Sequence, residues 1–285
     1  MVKPAFAATP SSLTVVPSLA QIDLATDKPE VILTYKNSGS TSLNISFSAQ
    51  DFTALEDGYK IKYLTESDAK NYQYSLSSWI SFEQKSIRIN PNEEKQVKIF
   101  IDSARVTKGA HYASILAQID QDDNGQKIAV KGILSSLLFV RASTGREIES
   151  GTIISLRAVQ NFIEFPASYV LRFENTGNVD VTPYGILEIT GPFGKRAAKA
   201  ILNENSSMVL PESVRRFDLP VIKEQSFFPP GIYTAKLSMH FGKTNKTLET
   251  TVNFFSQGSI NFTAIGVILA AILTAFLLLN WWRKK

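Results

Sequence analysis

Short segments of alternating apolar and polar residues run along most of the chain. The segment LTYKNSGSTSLNI, from Leu33, places a polar turn over residues 37–42 between two alternating flanks, and LRFENTGNVDVTP from Leu171 repeats the arrangement. Alternation with a period of two is typical of half-buried strands, and Gly, Pro and Asn interrupt these segments at spacings of roughly ten residues. The pattern therefore predicts an all-β fold.

Three sequence pieces occur twice in the same order. The opening piece is followed by INPNEEKQVKIFI and KGAHYASILAQI, and its second copy by VLPESVRRFDLPV and PGIYTAKLSMHF. Repeated pieces at this spacing indicate two copies of one domain, with an insertion in the first copy. We predict two tandem Ig-like β-sandwich domains over residues 10–145 and 146–257. A single large barrel is the alternative, which the duplication disfavours because each repeat has the length of a whole domain.

The C-terminal part of the sequence has a different pattern. Residues 260–282 form an uncharged apolar run, and roughly 20 such residues span a bilayer as a helix. This predicts a transmembrane helix over residues 258–282, followed by a basic tail at 283–285 that stays in the cytoplasm. The predicted membrane-interface residues are Trp281, Trp282, Arg283, Lys284 and Lys285.

This orientation predicts an exported protein. Residues 1–9 contain Ala5-Phe6-Ala7, which has the small-x-small form of a signal-peptidase site, and we interpret them as a signal-peptide remnant. The expected location is the cell membrane, with a single pass and both β domains outside the cell. The alternative is a tail-anchored protein with its β domains in the cytoplasm.

Charge and cysteine content narrow the function classes. The formal net charge of +4 over 285 residues comes mostly from the terminal tail, because residues 10–258 are nearly neutral. A nucleic-acid-binding surface needs clustered basic residues, so we predict no nucleic-acid partner. The chain has no cysteine, which means that each domain must be stable without disulfides.

Candidate catalytic and metal-binding residues are sparse. His111 and His240 lie beside similar strands of the two repeats, and neither has a recognisable nucleophile partner. The segment DQDDNGQ, from Asp120, resembles the start of a calcium loop but has Lys131 where a bidentate Glu is required. We interpret Asn124-Gly125 as a hairpin turn, with calcium binding as the alternative. We therefore predict no enzyme activity, no metal and no cofactor.

Aromatic residues in the first repeat are the candidates for partner binding. Trp79 is either a core residue at a strand start or a stacking surface for a ligand. The insertion between the first two pieces is rich in tyrosine among charged residues, a composition suited to an adaptable binding surface. Strand-face tyrosines are the alternative. The candidate partner-binding residues are Tyr59, Tyr63, Tyr72 and Tyr74.

The order of these pieces, together with the C-terminal apolar run and basic tail, resembles the WxL-interacting protein family of Gram-positive bacteria and related two-domain proteins of candidate-phylum bacteria. The resemblance covers most of residues 10–285. It implies a membrane-anchored surface protein in which the domain farther from the membrane binds peptidoglycan and the nearer domain binds a host or partner protein.

Our leading prediction is a non-enzymatic cell-surface binding or scaffold protein, held at the lipid bilayer by its C-terminal helix. Its expected partner is peptidoglycan or another surface protein, which can add a strand to an exposed sheet edge. One alternative is a chaperone-like assembly factor that supplies a strand to exported subunits or receives one from them. The other is an accessory subunit of a membrane complex.

Overall fold

The computed structural model describes residues 13–55, 57–58, 60–106, 108–121, 132–160, 163–259 and 262–283. The chain divides into two compact units. Unit 1 contains the residues up to Ser150 together with Thr176–Asp180 and Leu210–Ser213. Unit 2 contains Gly151–Asn175, Val181–Val209 and the residues from Val214 onward. Each unit is a β-sandwich, so the predicted all-β chain with two sandwiches is confirmed.

Eleven strands are described in the first part of the chain. They are β1 (Leu13–Val16), β2 (Leu19–Asp23), β3 (Glu30–Asn37), β4 (Leu43–Gln50), β5 (Phe52–Leu55), β6 (Lys60–Tyr63), β7 (Ile80–Phe82), β8 (Ser86–Ile89), β9 (Glu94–Ile101), β10 (Ala110–Gln121) and β11 (Gly132–Arg141). A short helix, α1 (Glu66–Asn71), and two 3-10 turns, Ser77–Trp79 and Ser103–Arg105, complete this part.

Unit 1 packs two sheets face to face. One has the strand order β1-β3-β9-β7, and the other has the order β2-β11-β10-β4-β8. All described pairs are antiparallel except β2 with β11, which is parallel. Alternate side chains from both sheets fill the space between them because successive residues of a strand point to opposite faces. Core residues from the facing strands include Leu33, Tyr35, Ile45, Val97 and Ile115.

The insertion of the first repeat covers the outer face of the second sheet. It contains the β5–β6 hairpin and α1, whose first turn is capped by Thr65 Oγ1 accepting from the Asp68 N–H at 3.2 Å. On β10, Ala113 and Ile115 face the core, so Tyr112 faces the insertion. Because an aromatic cluster fills this outer layer, Tyr112 is fully buried. The cluster consists of Phe52, Tyr72, Tyr74, Tyr112 and Phe139.

The second part of the chain contributes eight strands. They are β12 (Gly151–Val159), β13 (Ser168–Asn175), β14 (Tyr184–Thr190), β15 (Arg196–Leu202), β16 (Ser213–Pro220), β17 (Ile222–Lys223), β18 (Gly231–Phe241) and β19 (Lys246–Ser256). Unit 2 has a three-stranded sheet, β12-β13-β16, and a five-stranded sheet, β17-β15-β14-β18-β19. Its core includes Leu171, Phe173, Leu187, Leu237 and Met239.

A second helix, α2 (Phe262–Arg283), follows β19 in the chain. Among the described residues, none of the helices is long and apolar enough to cross a membrane. The predicted transmembrane helix over residues 258–282 is therefore wrong, and the predicted lipid-bilayer partner loses its basis. Trp282 is exposed, whereas the side chains of Trp281 and Arg283, and all of Lys284 and Lys285, lie outside what the structure describes.

Candidate partner-binding edge

Strand β11 is paired on both sides over only half of its length. It pairs with β10 from Gly132 to Arg141, but β2 pairs only with Leu137–Arg141. Within the described part of the chain, no strand pairs with residues 132–136 on this second side. This unpaired stretch of backbone is the candidate site.

Hydrogen bonds from neighbouring residues show which backbone groups face the unpaired side. The Leu137 N–H donates to Ser18 O at 2.9 Å, and the Leu24 N–H donates to Arg141 O at 3.0 Å. In an antiparallel ladder, backbone groups of alternate residues point to the same side of the strand. The N–H and C=O groups of Ile133 and Ser135 therefore point away from β10, toward the unpaired side.

The unpaired stretch ends at a defined residue. Ser136 Oγ donates to Pro17 O at 2.7 Å, so the segment that connects β1 to β2 reaches β11 at this point. We call residues 132–135 the open edge. Ile133 is 64% exposed, whereas Leu134 packs against the core of unit 1. A strand added here would extend the sheet and cover apolar side chains on both of its faces.

Two other edge strands, β19 and β12, carry protective features that the open edge lacks. β19 forms one edge of the five-stranded sheet and carries Lys246 and Glu249, and Glu249 forms an ion pair with Lys236 at 2.9 Å. β12 forms an edge of the three-stranded sheet and contains a register shift between Ile153 and Ser155. Charges and bulges discourage pairing with another chain. The run from Gly132 to Val140 has no charge and no described bulge.

Tyr63 lies next to the open edge on the outer face of the sheet. Its hydroxyl donates to Ser135 Oγ at 3.4 Å, and Ser135 Oγ lies 2.6 Å from Ser114 Oγ. The Tyr63 side chain remains 38% exposed. Of the tyrosines selected from the sequence, Tyr63 is therefore the one that the described structure brings to this edge.

The other candidate tyrosines occupy different environments. Tyr74 is buried, and its hydroxyl donates to Glu212 Oε1 at 3.2 Å within unit 1. Burial raises the pKa values of both Tyr72 and Tyr74. The two rings contact each other and belong to the aromatic cluster, so little of the Tyr74 side chain is accessible to a partner. Tyr59 lies outside the described residues, and the partner-binding role of all four tyrosines stays a prediction.

The two histidines lie in different units. In unit 1, His111 is buried with its ring centroid 4.7 Å from that of Trp79, and its Nδ1 is 3.0 Å from Ser75 O. Desolvation lowers the pKa of His111. In unit 2, His240 Nδ1 lies 3.0 Å from Thr247 Oγ1. Each ring therefore has its own local partners.

Trp79 is partly buried against the core of unit 1. The described residues contain no group of three His, Asp or Glu side chains arranged to hold a metal ion. The segment DQDDNGQ, with the predicted Asn124-Gly125 turn, lies outside the described residues. The absence of enzyme activity, metal and cofactor stays a prediction.

Sequence reasoning did not select Ile133 or Ser135. The run GILSSLLFV predicts a buried strand from its continuous apolar character, and it gives no sign that one side lacks a neighbour. That feature depends on where β2 begins, because its first residue, Leu19, pairs with Leu137. The absence of charge along this run is the one sequence feature that could have pointed to an unprotected edge.

Comparison with known proteins gives matches only among solved structures. No family model matches the chain, and no curated protein matches it. The YadV chaperone is 9% identical, with 85% of this chain and 99% of that chain covered and a TM-score of 0.40. The complex of Salmonella enterica SafA pilin with the SafB chaperone is 12% identical, with 87% of this chain and 98% of that chain covered and a TM-score of 0.40. The periplasmic chaperone SfaE is 12% identical, with 85% of this chain and 98% of that chain covered and a TM-score of 0.37. At these identities and TM-scores, the similarities assign neither a family nor a function.

These findings correct two predictions. The expected resemblance to the WxL-interacting protein family is wrong, because no family model matches the chain. The expected location, a single-pass cell-membrane protein with extracellular domains, is also wrong. It depended on a membrane span that the described helices do not provide.

Proposed function

We propose that this protein is a non-enzymatic, chaperone-like assembly factor that binds an exported protein subunit by strand addition. The observation that carries the proposal is the open edge, where the backbone groups of Ile133 and Ser135 have no strand partner on one side among the described residues. We interpret both sandwiches as Ig-like. Unit 1 packs a four-stranded sheet on a five-stranded one, and unit 2 has sheets of three and five strands.

Strand addition suits the chemistry of this edge. A partner strand would pair with the N–H and C=O groups of two alternate residues, and backbone pairing of this kind supplies affinity with little dependence on sequence. Ile133 offers an apolar contact on one face of the extended sheet, and Leu134 offers one on the other. The proposed partner is therefore a polypeptide with an unpaired strand of alternating apolar residues, rather than a glycan polymer.

A proline substitution at position 133 tests this function. In Ile133→Pro the outward N–H is lost, while the ladder with β10 keeps its hydrogen bonds, because Ile133 does not donate toward β10. Ile133→Ala is the matched control, since it removes the exposed side chain and keeps the N–H. The full-length variants are immobilised and incubated with the exported-protein fraction of the source cells, and captured polypeptides are quantified by mass spectrometry.

We expect one or more polypeptides that Ile133→Ala retains and Ile133→Pro loses by roughly tenfold or more, because several ladder bonds of about 1 kcal/mol each depend on continuous pairing. Ile154→Pro on β12, another partly exposed strand position, should leave capture unchanged. Equal capture by both position-133 variants would show that the open edge does not bind the partner.

A further inference from the structure

The loop between β14 and β15 displays an exposed aromatic side chain at the tip of a hairpin. Phe193 is 78% exposed. The loop is closed by two backbone hydrogen bonds, from Gly191 N–H to Lys195 O at 2.8 Å and from Gly194 N–H to Gly191 O at 3.0 Å. Gly194 has a φ of +73°, which permits the tight turn. The hairpin therefore holds Phe193 outside the fold.

The five-stranded sheet of unit 2 has a groove on its outer face, a concave feature in contrast to the protruding loop. Its volume is about 580 Å³, within the range of about 300–1,000 Å³ that holds small ligands and side chains. Its apolar lining includes Tyr184, Ile186 and Ile201, all of which are exposed. The Tyr184 ring packs beside His240, with their centroids 5.6 Å apart. This is an apolar groove on a surface that lies within unit 2.

The loop and the groove carry opposite charges. Glu204 lines the groove, and Lys195 lies next to the loop tip; both side chains are exposed, and neither makes an ion pair in the described structure. By contrast, Glu188 at the other side of the groove is already paired with Arg196 at 3.1 Å. The groove therefore presents one available carboxylate, and the loop presents one available ammonium group.

The loop is held beyond one end of the groove of its own unit. The groove extends along β14 from Tyr184 to Glu188, and the loop follows the pair Thr190–Arg196. A strand rises roughly 3.3 Å per residue, so Ile186 in the groove lies about 13 Å along β14 from the start of the loop. The two hydrogen bonds that close the loop keep its tip at the end of the hairpin.

We propose that the β14–β15 loop of one copy of this protein docks into the outer groove of a second copy, with Phe193 in the apolar groove and Lys195 opposite Glu204. The contact is head-to-tail, so each copy retains a free loop or a free groove, and successive copies can add. It uses unit 2 only and does not depend on the function proposed for the open edge.

The contact is weak in solution. One aromatic side chain buries about 150–250 Å², far below the roughly 1,200–2,000 Å² of a stable interface. Association is therefore expected at high protein concentration, and covalent trapping is the suitable measurement.

The absence of cysteine allows site-specific trapping in the full chain. Pro192→Cys marks the loop and Ile201→Cys marks the groove, and both variants keep Phe193, Lys195 and Glu204. The two proteins are mixed, oxidised and separated by electrophoresis without reductant. Mixing Phe227→Cys with Ile201→Cys is the control, because Phe227 is exposed and lies outside the loop.

We expect the loop–groove pair to form a disulfide at least several-fold faster than the control pair. Adding Phe193→Ser to the loop variant should slow it about tenfold or more, as expected for loss of a buried aromatic side chain. Lys195→Glu alone or Glu204→Lys alone should slow it by about threefold, and combining them on opposite partners should restore the rate. Equal rates for the loop and control pairs, or no effect of Phe193→Ser, would overturn the proposal.

Discussion

Replacing Asp51 is expected to release the insertion from the first sandwich. Asp51 follows β4 and is only 2% exposed. Oδ1 accepts hydrogen bonds from the Leu76 N–H at 2.7 Å and the Ser77 N–H at 2.8 Å, and Oδ2 accepts from Ser77 Oγ at 2.6 Å. One side chain thus joins the two ends of the insertion at the surface of unit 1.

The loss of unfolding free energy in each variant depends on which hydrogen-bonding groups lose their partner. Asp51→Ala removes the acceptor of two backbone N–H groups in a buried region, and each unsatisfied donor costs about 1–3 kcal/mol, so we expect a loss of about 3–5 kcal/mol in the free energy of unfolding. Asp51→Asn keeps an oxygen at the position of Oδ1 and should lose about 1 kcal/mol. Ser77→Ala removes only the hydroxyl donor and should lose about 1 kcal/mol.

Urea unfolding followed by tryptophan fluorescence measures these differences. Trp79 is the last residue of the 3-10 turn that Asp51 holds. A background with Trp281→Phe and Trp282→Phe makes Trp79 the only tryptophan, so the fluorescence becomes specific to unit 1. The slope of the transition should stay constant if only stability changes. An unfolding free energy for Asp51→Ala within 0.5 kcal/mol of the parent value, on the order of an ordinary surface substitution, would refute the reasoning.

Two further predictions concern single residues in the two units. Burial lowers the pKa of His111, so the unfolded chain takes up its proton more readily, and unit 1 should lose stability as the pH falls below about 6.5. His111→Gln should flatten that pH dependence in urea unfolding, and an unchanged slope would contradict the assignment. In unit 2, a Cβ at Gly185 would lie 2.3 Å from Ser238 O and 2.7 Å from Met239 Cα, so Gly185→Ala should cost about 1–3 kcal/mol in thermal unfolding. Gly266→Ala, where nothing lies within 4 Å, is its control and should change little.

The duplicated turn was predictable from the sequence, but its physical basis was not. Asn37 and Asn175 end equivalent strands and are both fully buried. Asn often occurs in turns because it tolerates a positive φ, but neither of these Asn residues has one. Instead, Asn37 Nδ2 donates to Ile89 O at 3.2 Å, and Asn175 Nδ2 donates to Val209 O at 2.9 Å. The asparagines act through side-chain hydrogen bonds that join distant segments, which local propensity does not reveal.

A different pair of positions supplies the positive φ in the second repeated piece. Asn92 has a φ of +60°, and Glu212, at the matching position after proline, has a φ of +53°. The two aligned proline-containing turns therefore share a backbone shape. Residue type alone does not predict it, because Glu rarely adopts this conformation.

The third repeated piece shows where alternation decides a side chain's role. The sequence alignment paired Tyr112 with Tyr233 as the tyrosines that follow a Gly turn. Tyr233 lies in the core of unit 2, whereas Tyr112 points to the opposite face, beneath the insertion. A shift of one position reverses the face of a strand residue, so a loose alignment by residue type cannot fix the environment.

The most direct test of the proposed function is hydrogen exchange at the open edge, measured on the full chain alone and with a captured partner. We predict that the amides of Ile133 and Ser135 exchange more slowly in the complex, while that of Ile154 on β12 keeps its rate. Unchanged exchange at Ile133 and Ser135 in a saturated complex would contradict strand addition at this edge.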